Sequence, residues 1–316
     1  MLEILNKNYY KTQEVRDLVW VIYSPSLLST DTCVSTDIEL DFPFEFSVDK
    51  LFFEQLDQDP TALIEYIEQN KTARLGLYFE NLLAYYFINH SSYELIIKGL
   101  QVQGKKGTIG EFDFIVKKVE TNQIYHIETA VKFFLQYHEA QADNSWSHWI
   151  GPGCRDRFDL KLNKLIEKQC RLSELPASQV ALKPIIGDAQ LQSILHLKGC
   201  LFNYCRDEKL TYLHENSNRL EGTWCYLGDL NQLDPNITWH IGSRLQWLTG
   251  GEIASPCKDI SDLEQQIQAQ FIIPGLETQP VMIIGHNNRD NTEPLERAFV
   301  VPDNWPFLGL SKKGSA

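Results

Sequence analysis

The sequence has no apolar run long enough to cross a membrane as a helix. Its first residues lack the basic region, apolar stretch and small-residue cleavage site of a secretory signal. These absences predict a soluble, cytoplasmic protein with no membrane partner. Internal repeats and low-complexity tracts are also missing. The 316 residues, of which 43% are hydrophobic and 22% charged, are typical of a globular chain that forms one large domain or two smaller ones.

Cysteine spacings typical of metal sites are missing too. The seven cysteines are an odd number and contain no Cys-x-x-Cys pair. We expect them to be reduced and buried, as intracellular thiols usually are. A zinc site that uses Cys200, Cys205 and a histidine is the alternative, although the spacing of the two cysteines is loose.

Positive charge is scarce, since the formal net charge is −13. This balance argues against a protein coated with nucleic acid, because such binding depends on phosphate neutralisation by lysine and arginine. The deficit is uneven along the chain. Between Lys98 and Arg171 there are 12 basic and 9 acidic residues, so this is the least acidic segment of the protein.

The hydrophobic pattern predicts helices in the first third of the chain and strands after them. We expect three regions: an N-terminal helical segment (1–45), a core (46–180) and a β-rich region (185–316) that either packs with the core or stands apart. A helix should end near Pro25, and another should cover about 156–170. The proline-containing segment 174–188 is the candidate boundary.

Acidic residues interrupt a predicted β-hairpin. In "EFDFIV" alternation places Glu111, Asp113 and Ile115 on one face and Phe112, Phe114 and Val116 on the other. In the next strand, "IYHIETAVKFF", Glu128, Ala130 and Lys132 share a face. One face of the hairpin thus concentrates carboxylates and a lysine, which is the pattern of a functional site.

A further acid lies on the preceding predicted helix. Glu80 has the apolar neighbours Gly76, Leu77, Leu83 and Ala84 at helical spacing, so it should point towards the sheet. Clustered carboxylates suit Mg²⁺ or Mn²⁺, which prefer oxygen ligands. We therefore predict a metal site of Glu80, Asp113 and Glu128 for phosphodiester hydrolysis, with Lys132 placing the attacking water.

The acidic face also has a simpler interpretation. Antiparallel sheets commonly expose one face to water, and acids on such a face need no function. That interpretation does not account for Glu80 on an apolar helical face. A buried ion pair between Glu80 and Lys132 would account for both residues structurally.

The helix predicted over 156–170 carries a basic stripe with spacings of four and three residues. It consists of Arg157, Lys161, Lys164, Lys168 and Arg171. The stripe is either a solvated face or a surface for a phosphate backbone. The nearby Trp146, His148 and Trp149 could stack on bases, although tryptophan more often packs in a core.

These blocks resemble a known family. "LGLYFENLLAYYF", "GEFDF", "HIETAVKF", "GPGCRDRFDLKLNKLIEKQ" and "FVVPDNWP", in this order, are similar to the bacterial domain of unknown function 1853 (DUF1853), over about residues 14–306. That family is grouped with the PD-(D/E)xK nuclease-like superfamily. The resemblance implies a restriction-endonuclease-like α+β fold, a mixed sheet flanked by helices, with a β-rich C-terminal extension.

The resemblance also assigns roles. Asp113 matches the strand aspartate of the superfamily, Glu128 its second acid and Glu80 the helix acid of some members. The lysine of the superfamily would stand at position 130, where this chain has Ala130; Lys132 lies about 7 Å further along the strand.

We expect a Mg²⁺- or Mn²⁺-dependent nuclease acting on DNA or RNA. The alternative is an inactive nuclease-like fold that binds nucleic acid or protein. Carboxylate-based glycoside hydrolysis has no support beyond the acid pair.

Overall fold

Helices form where apolar residues recur every three or four positions. The computed structural model describes residues 2–5, 9–29, 38–137, 146–207, 216–251, 257–273, 279–287 and 295–306. Within these ranges the α-helices are α1 (Gln13–Tyr23), α2 (Phe46–Gln58), α3 (Thr61–Gln69), α4 (Leu75–Asn89), α5 (Phe158–Lys164), α6 (Pro176–Ile186) and α7 (Ile260–Phe271). A π-helical turn, Leu165–Gln169, continues α5. The helices predicted to end near Pro25 and to cover 156–170 are confirmed.

Strands follow the alternating and apolar runs of the sequence. In the described residues they are β1 (Ile38–Leu40), β2 (Tyr93–Gly104), β3 (Gly107–Lys118), β4 (Ile124–Gln136), β5 (Trp149–Ile150), β6 (Leu191–Tyr204), β7 (Leu220–Tyr226), β8 (Ile237–Ile241), β9 (Val281–Asn287) and β10 (Glu296–Val301). The two strands of the predicted hairpin are present as β3 and β4, and the predicted β-rich region contains β6 to β10. Two short strands, β1 and β5, and two helices, α6 and α7, are present that the hydrophobic pattern does not predict.

These ten described strands form one mixed sheet. Its order is β2-β3-β4-β6-β7-β10-β9-β8, while β1 pairs with β6 and β5 with β4. Strands β2, β3 and β4 are antiparallel neighbours, and β6 is parallel to β4, so the connection between them crosses over through α5 and α6. The strands of the region 185–316 thus extend the same sheet.

Helices cover both faces of the sheet. Helices α1, α2 and α4 pack with Phe114, Ile127 and Phe133 on one face. On the other face α5 packs against Ala130 and Phe134, while α7 packs against β9 and β10. The expectation of an α+β fold with a mixed sheet flanked by helices is confirmed. No helix of the described ranges is long and apolar enough to span a membrane.

The candidate boundary, 174–188, contains helix α6. Pro176 opens it, as proline often does, and Leu182 packs against Val102 and Phe112 of the sheet. The segment is therefore attached to β2 and β3 by apolar contacts rather than extended between two bodies.

The cysteines that the structure describes are free thiols: Cys154, Cys170, Cys200, Cys205, Cys225 and Cys257. Cys33 lies outside the described residues. Cys200 is fully buried among the residues that pack under α1 and α4, whereas Cys205 packs beside a different apolar cluster, near α7. Their separate placement argues against a shared zinc site, while Cys154 and Cys205 are half-buried rather than buried as expected.

Strand β6 carries a buried group of charges. The Lys198 ammonium donates to Asp41 at 2.5 Å and to the Ser24 carbonyl at 2.6 Å. The other Asp41 oxygen lies 2.6 Å from Nδ1 of His196, and Nε2 of that ring is 2.9 Å from the Val21 carbonyl. Burial raises the pKa of Asp41, but Lys198 and His196 together lower it to about 2. These bonds connect β6 to the end of α1.

Candidate functional site

The site begins where β3 and β4 separate. Their backbones pair antiparallel from the connecting turn as far as Phe114 and Ile127. Past this pair, the backbone N–H of Thr129 donates to Oδ2 of Asp113 at 2.9 Å, and the Thr129 hydroxyl donates to the same oxygen at 3.0 Å. The Asp113 carboxylate thus takes the position that a strand carbonyl holds in a regular ladder. These two bonds hold Asp113 at the fork between the strands.

Strand β3 changes faces at Asp113. Phe114 and Val116 pack under the helices of the first third, as predicted. Phe112 belongs instead to the cluster under α6, on the opposite face, where its ring lies 4.7 Å from that of His126. The prediction that Phe112 shares a face with Phe114 is wrong, because strict alternation holds only where the strand is regular. Asp113 lies at this change of faces, and it is the residue that accepts the hydrogen bonds from Thr129 at the fork.

Glu128 is buried next to the fork, with 4% of its surface exposed. Its Oε1 accepts a hydrogen bond from Nε2 of Gln169 at 3.4 Å, whereas Oε2 has no hydrogen-bond partner among the described residues. Gln169 is the last residue of the π-helical turn, in which the Cys170 N–H bonds to the Leu165 carbonyl at 2.8 Å. Such wide turns are frequent at functional sites. An ionised carboxylate with so few partners is costly to bury.

The charge of Asp113 disfavours the ionised forms of both Glu80 and Glu128. Burial, and then the charge of Asp113, raises the pKa of Glu80 to about 7. The same two causes raise the pKa of Glu128 to about 9, and Glu80 adds to the effect. Burial also raises the pKa of Asp113, although the hydrogen bonds from Thr129 oppose it. The structure therefore brings these acids from α4, β3 and β4 into one electrostatic cluster.

Lys98 interacts with two acids of this cluster, Glu80 and Asp113. Burial lowers its pKa, while Glu80 and Asp113 raise it, and its ammonium donates to Asn81 of α4 at 2.6 Å. Sequence reasoning missed this residue. The glycine that follows Lys98 in the sequence could have indicated its position, since Gly99 lies inside strand β2 with a φ of 71°. A glycine within a strand often indicates an irregularity at a functional site.

Lys132 faces a different set of charges. Burial and the neighbouring Lys161 lower its pKa, and Asp156 raises it. It lines a cavity of about 640 Å³ at the far end of β4, next to the Gly-Pro-Gly turn of residues 151–153. Ala130, at the position where the resemblance predicts a lysine, is buried against α5. The role predicted for Lys132 stays a prediction, and Lys98 is the better-placed candidate for contact with the acids.

The predicted basic stripe is only partly available for binding. Arg157 is bonded to Asp159 at 2.7 Å, and Arg171 to Glu174 at 3.1 Å. Lys164 and Lys168 are exposed, whereas Lys161 is half-buried and its charge lowers the pKa values of Glu128 and Lys132. The tryptophans beside the stripe are packed: Trp149 is fully buried, and the Trp146 ring lies 4.8 Å from that of Phe158.

The acids do not form a finished metal cage. Among the described residues, no group of three or more histidine, cysteine, aspartate or glutamate side chains is arranged to hold a metal ion. Magnesium sites, however, commonly use only one or two carboxylates, with water and phosphate oxygens as the other ligands. Asp113 and Glu128 are suitable for such a site: Thr129 engages only one oxygen of Asp113, and Oε2 of Glu128 is unpaired.

Comparisons with known proteins add a family but no activity. No curated protein and no solved structure matches the chain. One family model does match, over residues 16–301, and it spans most of the sequence. The chain belongs to that family, described as a domain of unknown function (DUF1853).

Proposed function

We propose that this protein is a metal-dependent nuclease of the PD-(D/E)xK type, with a restriction-endonuclease-like core formed by α4, β2, β3, β4, α5 and β6. One observation carries the proposal: the buried Glu128 and the half-buried Asp113 come from two adjoining strands and meet at the fork, where the charge of Asp113 raises the pKa of Glu128. Structural acids are usually paired with cations or exposed. Acids whose pKa is raised by burial and by a neighbouring acid are typical of functional sites.

Asp113 and Glu128 would hold Mg²⁺ or Mn²⁺, and Glu80 would support it from α4. When bound, such an ion polarises a phosphoryl oxygen and makes a coordinated water more acidic. Thr129 orients Asp113, and Gln169 orients Glu128. We assign to Lys98 the contact with the developing negative charge, because Glu80 and Asp113 are the acids that act on it. The exposed lysines Lys164 and Lys168 would contact the phosphate backbone of DNA or RNA.

The test is cleavage of single-stranded, duplex and structured DNA and RNA with Mg²⁺ or Mn²⁺. We expect cleavage by the wild type and by Glu94→Gln, which removes an exposed acid paired with Lys117 at the other end of the same strands. Asp113→Asn should be inactive. Cleavage by the wild type that does not exceed the level of Asp113→Asn would refute the enzymatic proposal.

A second function is a nuclease-like fold that binds nucleic acid or protein without cutting. Two observations favour it: Ala130 occupies the usual position of the lysine, and the described residues contain no group of three metal-ligating side chains. Calorimetric titration with Mn²⁺ separates the two functions. A binding heat that disappears in Glu128→Ala supports the metal site, whereas no heat with the wild type supports the binding module.

A further inference from the structure

The cavity beside Lys132 carries a charge opposite to that of the protein. Four cations line it, Arg74, Lys132, Arg155 and Arg244, and we call it the cationic cavity. Asp156 is the one acid among the described residues of its lining. A local excess of three positive charges in a chain of net charge −13 is a strong segregation. Like charges gathered in this way repel, and a bound anion would relieve the repulsion.

The cations of the cavity are available to a ligand. None of the four has an acidic partner within 4 Å among the described residues. The guanidinium of Arg244 lies 4.9 Å from the centre of the buried Trp247 ring, which holds it in a cation–π contact. Burial and Lys161 lower the pKa of Lys132 while Asp156 raises it, as expected for an ammonium crowded by other cations. The cavity thus has a partly fixed set of donors for a phosphate.

The backbone around the cavity is open to a ligand as well. Gly76 and Gly153 both line it, and a Cβ added to either would meet no atom within 4 Å. Gly76 is the second residue of the 15-residue helix α4, so its N–H is among those without an acceptor inside the helix. These N–H groups add to the positive potential that the side chains already supply.

We propose that the cationic cavity binds the terminal phosphate of a nucleic-acid strand. The excess of three positive charges matches a phosphate monoester, which carries about two negative charges, better than a backbone diester, which carries one. A volume of about 640 Å³ is within the usual range of small-ligand pockets and suits a nucleotide. This inference rests on the proposed function and deepens it, because it names strand ends as the substrate class.

Position links the cavity to the acids. Lys132 follows Glu128 by four residues on β4, about 13 Å at the usual rise of a strand. On α4, Gly76 precedes Glu80 by four residues, about one helical turn. A strand end held in the cavity would therefore lie close to the carboxylates, and cleavage would release one short fragment of fixed length.

The test is binding without metal, measured by fluorescence anisotropy in EDTA with the wild-type chain. The probes are one single-stranded oligonucleotide with a 5′-phosphate, a 3′-phosphate or hydroxyls at both ends, and free nucleoside monophosphates serve as competitors. We expect at least one phosphorylated end to bind about tenfold more tightly than the hydroxyl form, roughly the effect of one added charge-assisted contact. Lys132→Gln and Arg155→Gln should each remove this preference.

The controls remove the same charges elsewhere. Lys105→Gln, in the exposed turn between β2 and β3, and Arg206→Gln, at an exposed arginine near β7, should keep the preference.

The outcomes separate the possible ligands. If a nucleoside monophosphate binds as tightly as the phosphorylated strand, the ligand of the cavity is a free nucleotide rather than a strand end. Equal affinity for phosphorylated and hydroxyl ends overturns the inference, as does a preference that survives Lys132→Gln. Cleavage without a preference for phosphorylated ends would overturn this inference but not the proposed nuclease activity. A preference for phosphorylated ends without cleavage would overturn the nuclease activity but not this inference.

Discussion

Replacing Glu128 with glutamine tests whether the folded protein destabilises the ionised form of this buried carboxyl group. The ordinary pKa of the group is 4.5, and burial together with Asp113 raises it to about 9 in the fold. Between these values the folded protein keeps a proton that the unfolded chain has released. The free energy of unfolding therefore falls as the pH rises, by about 1.4 kcal/mol per pH unit. The loss is about 3 kcal/mol by pH 7 and about 6 kcal/mol by pH 9.

Glutamine keeps the size of the side chain and its contact with Gln169 but does not titrate. We expect Glu128→Gln to differ from the wild type by less than about 1 kcal/mol at pH 5 and to be more stable by several kcal/mol at pH 9. Urea unfolding followed by tryptophan fluorescence at pH 5, 7 and 9 measures the difference.

The exposed Glu94→Gln serves as the matched control and should show no such trend. If the free energy of unfolding of Glu128→Gln exceeded that of the wild type by the same amount at every pH, the reasoning would be refuted. A loss of stability that deepens as the pH rises would refute it as well.

Three further changes test the structure around the site by chemical unfolding. Asp41→Asn leaves the buried Lys198 ammonium without its counter-charge and should cost about 3–5 kcal/mol at pH 7. Because the pKa of Asp41 is lowered from 3.8 to about 2, the wild type should lose about 2 kcal/mol as the pH falls from 3.8 through 2, and the variant should not. Gly199→Ala should cost more than about 3 kcal/mol, because φ is 152° and the added Cβ would lie 1.7 Å from the Lys132 carbonyl oxygen. Thr129→Val removes one of the two hydrogen bonds to Asp113 and should cost about 1 kcal/mol. An unfolding free energy within 0.5 kcal/mol of the wild type would contradict the expectation for any of them.

Part of the candidate site could be predicted from residue types alone. The apolar surroundings of Glu80 along its helix indicate that this acid faces the protein. The charge of Asp113 does raise its pKa, and its own charge raises the pKa of Glu128. Alternation along β4 was correct because that strand is regular: Ile127 and Phe133 pack on one face, and Ala130 on the other. The same reasoning was wrong for Phe112, since β3 changes faces at the fork.

The lysines show the limit of such reasoning. Lys132 shares a strand face with Glu128, yet the charges that act on it are those of Lys161, Asp156 and Lys164. Lys98 comes from β2, and its distance in the sequence from Glu128 hides its position near the acids. A pattern along one strand carries no information about which side chain reaches across from the next strand.

The sequence by itself determined most of the order of helices and strands, the mixed α+β class and the acids of the candidate site, because hydrophobic periodicity and charge are local properties of the chain. Tertiary structure alone decided that β3 and β4 part at Asp113, that a π-helical turn brings Gln169 to Glu128, and that cations from distant segments share one cavity. These features depend on contacts between residues far apart in the chain. Such contacts arise only when the sheet and its covering helices pack together.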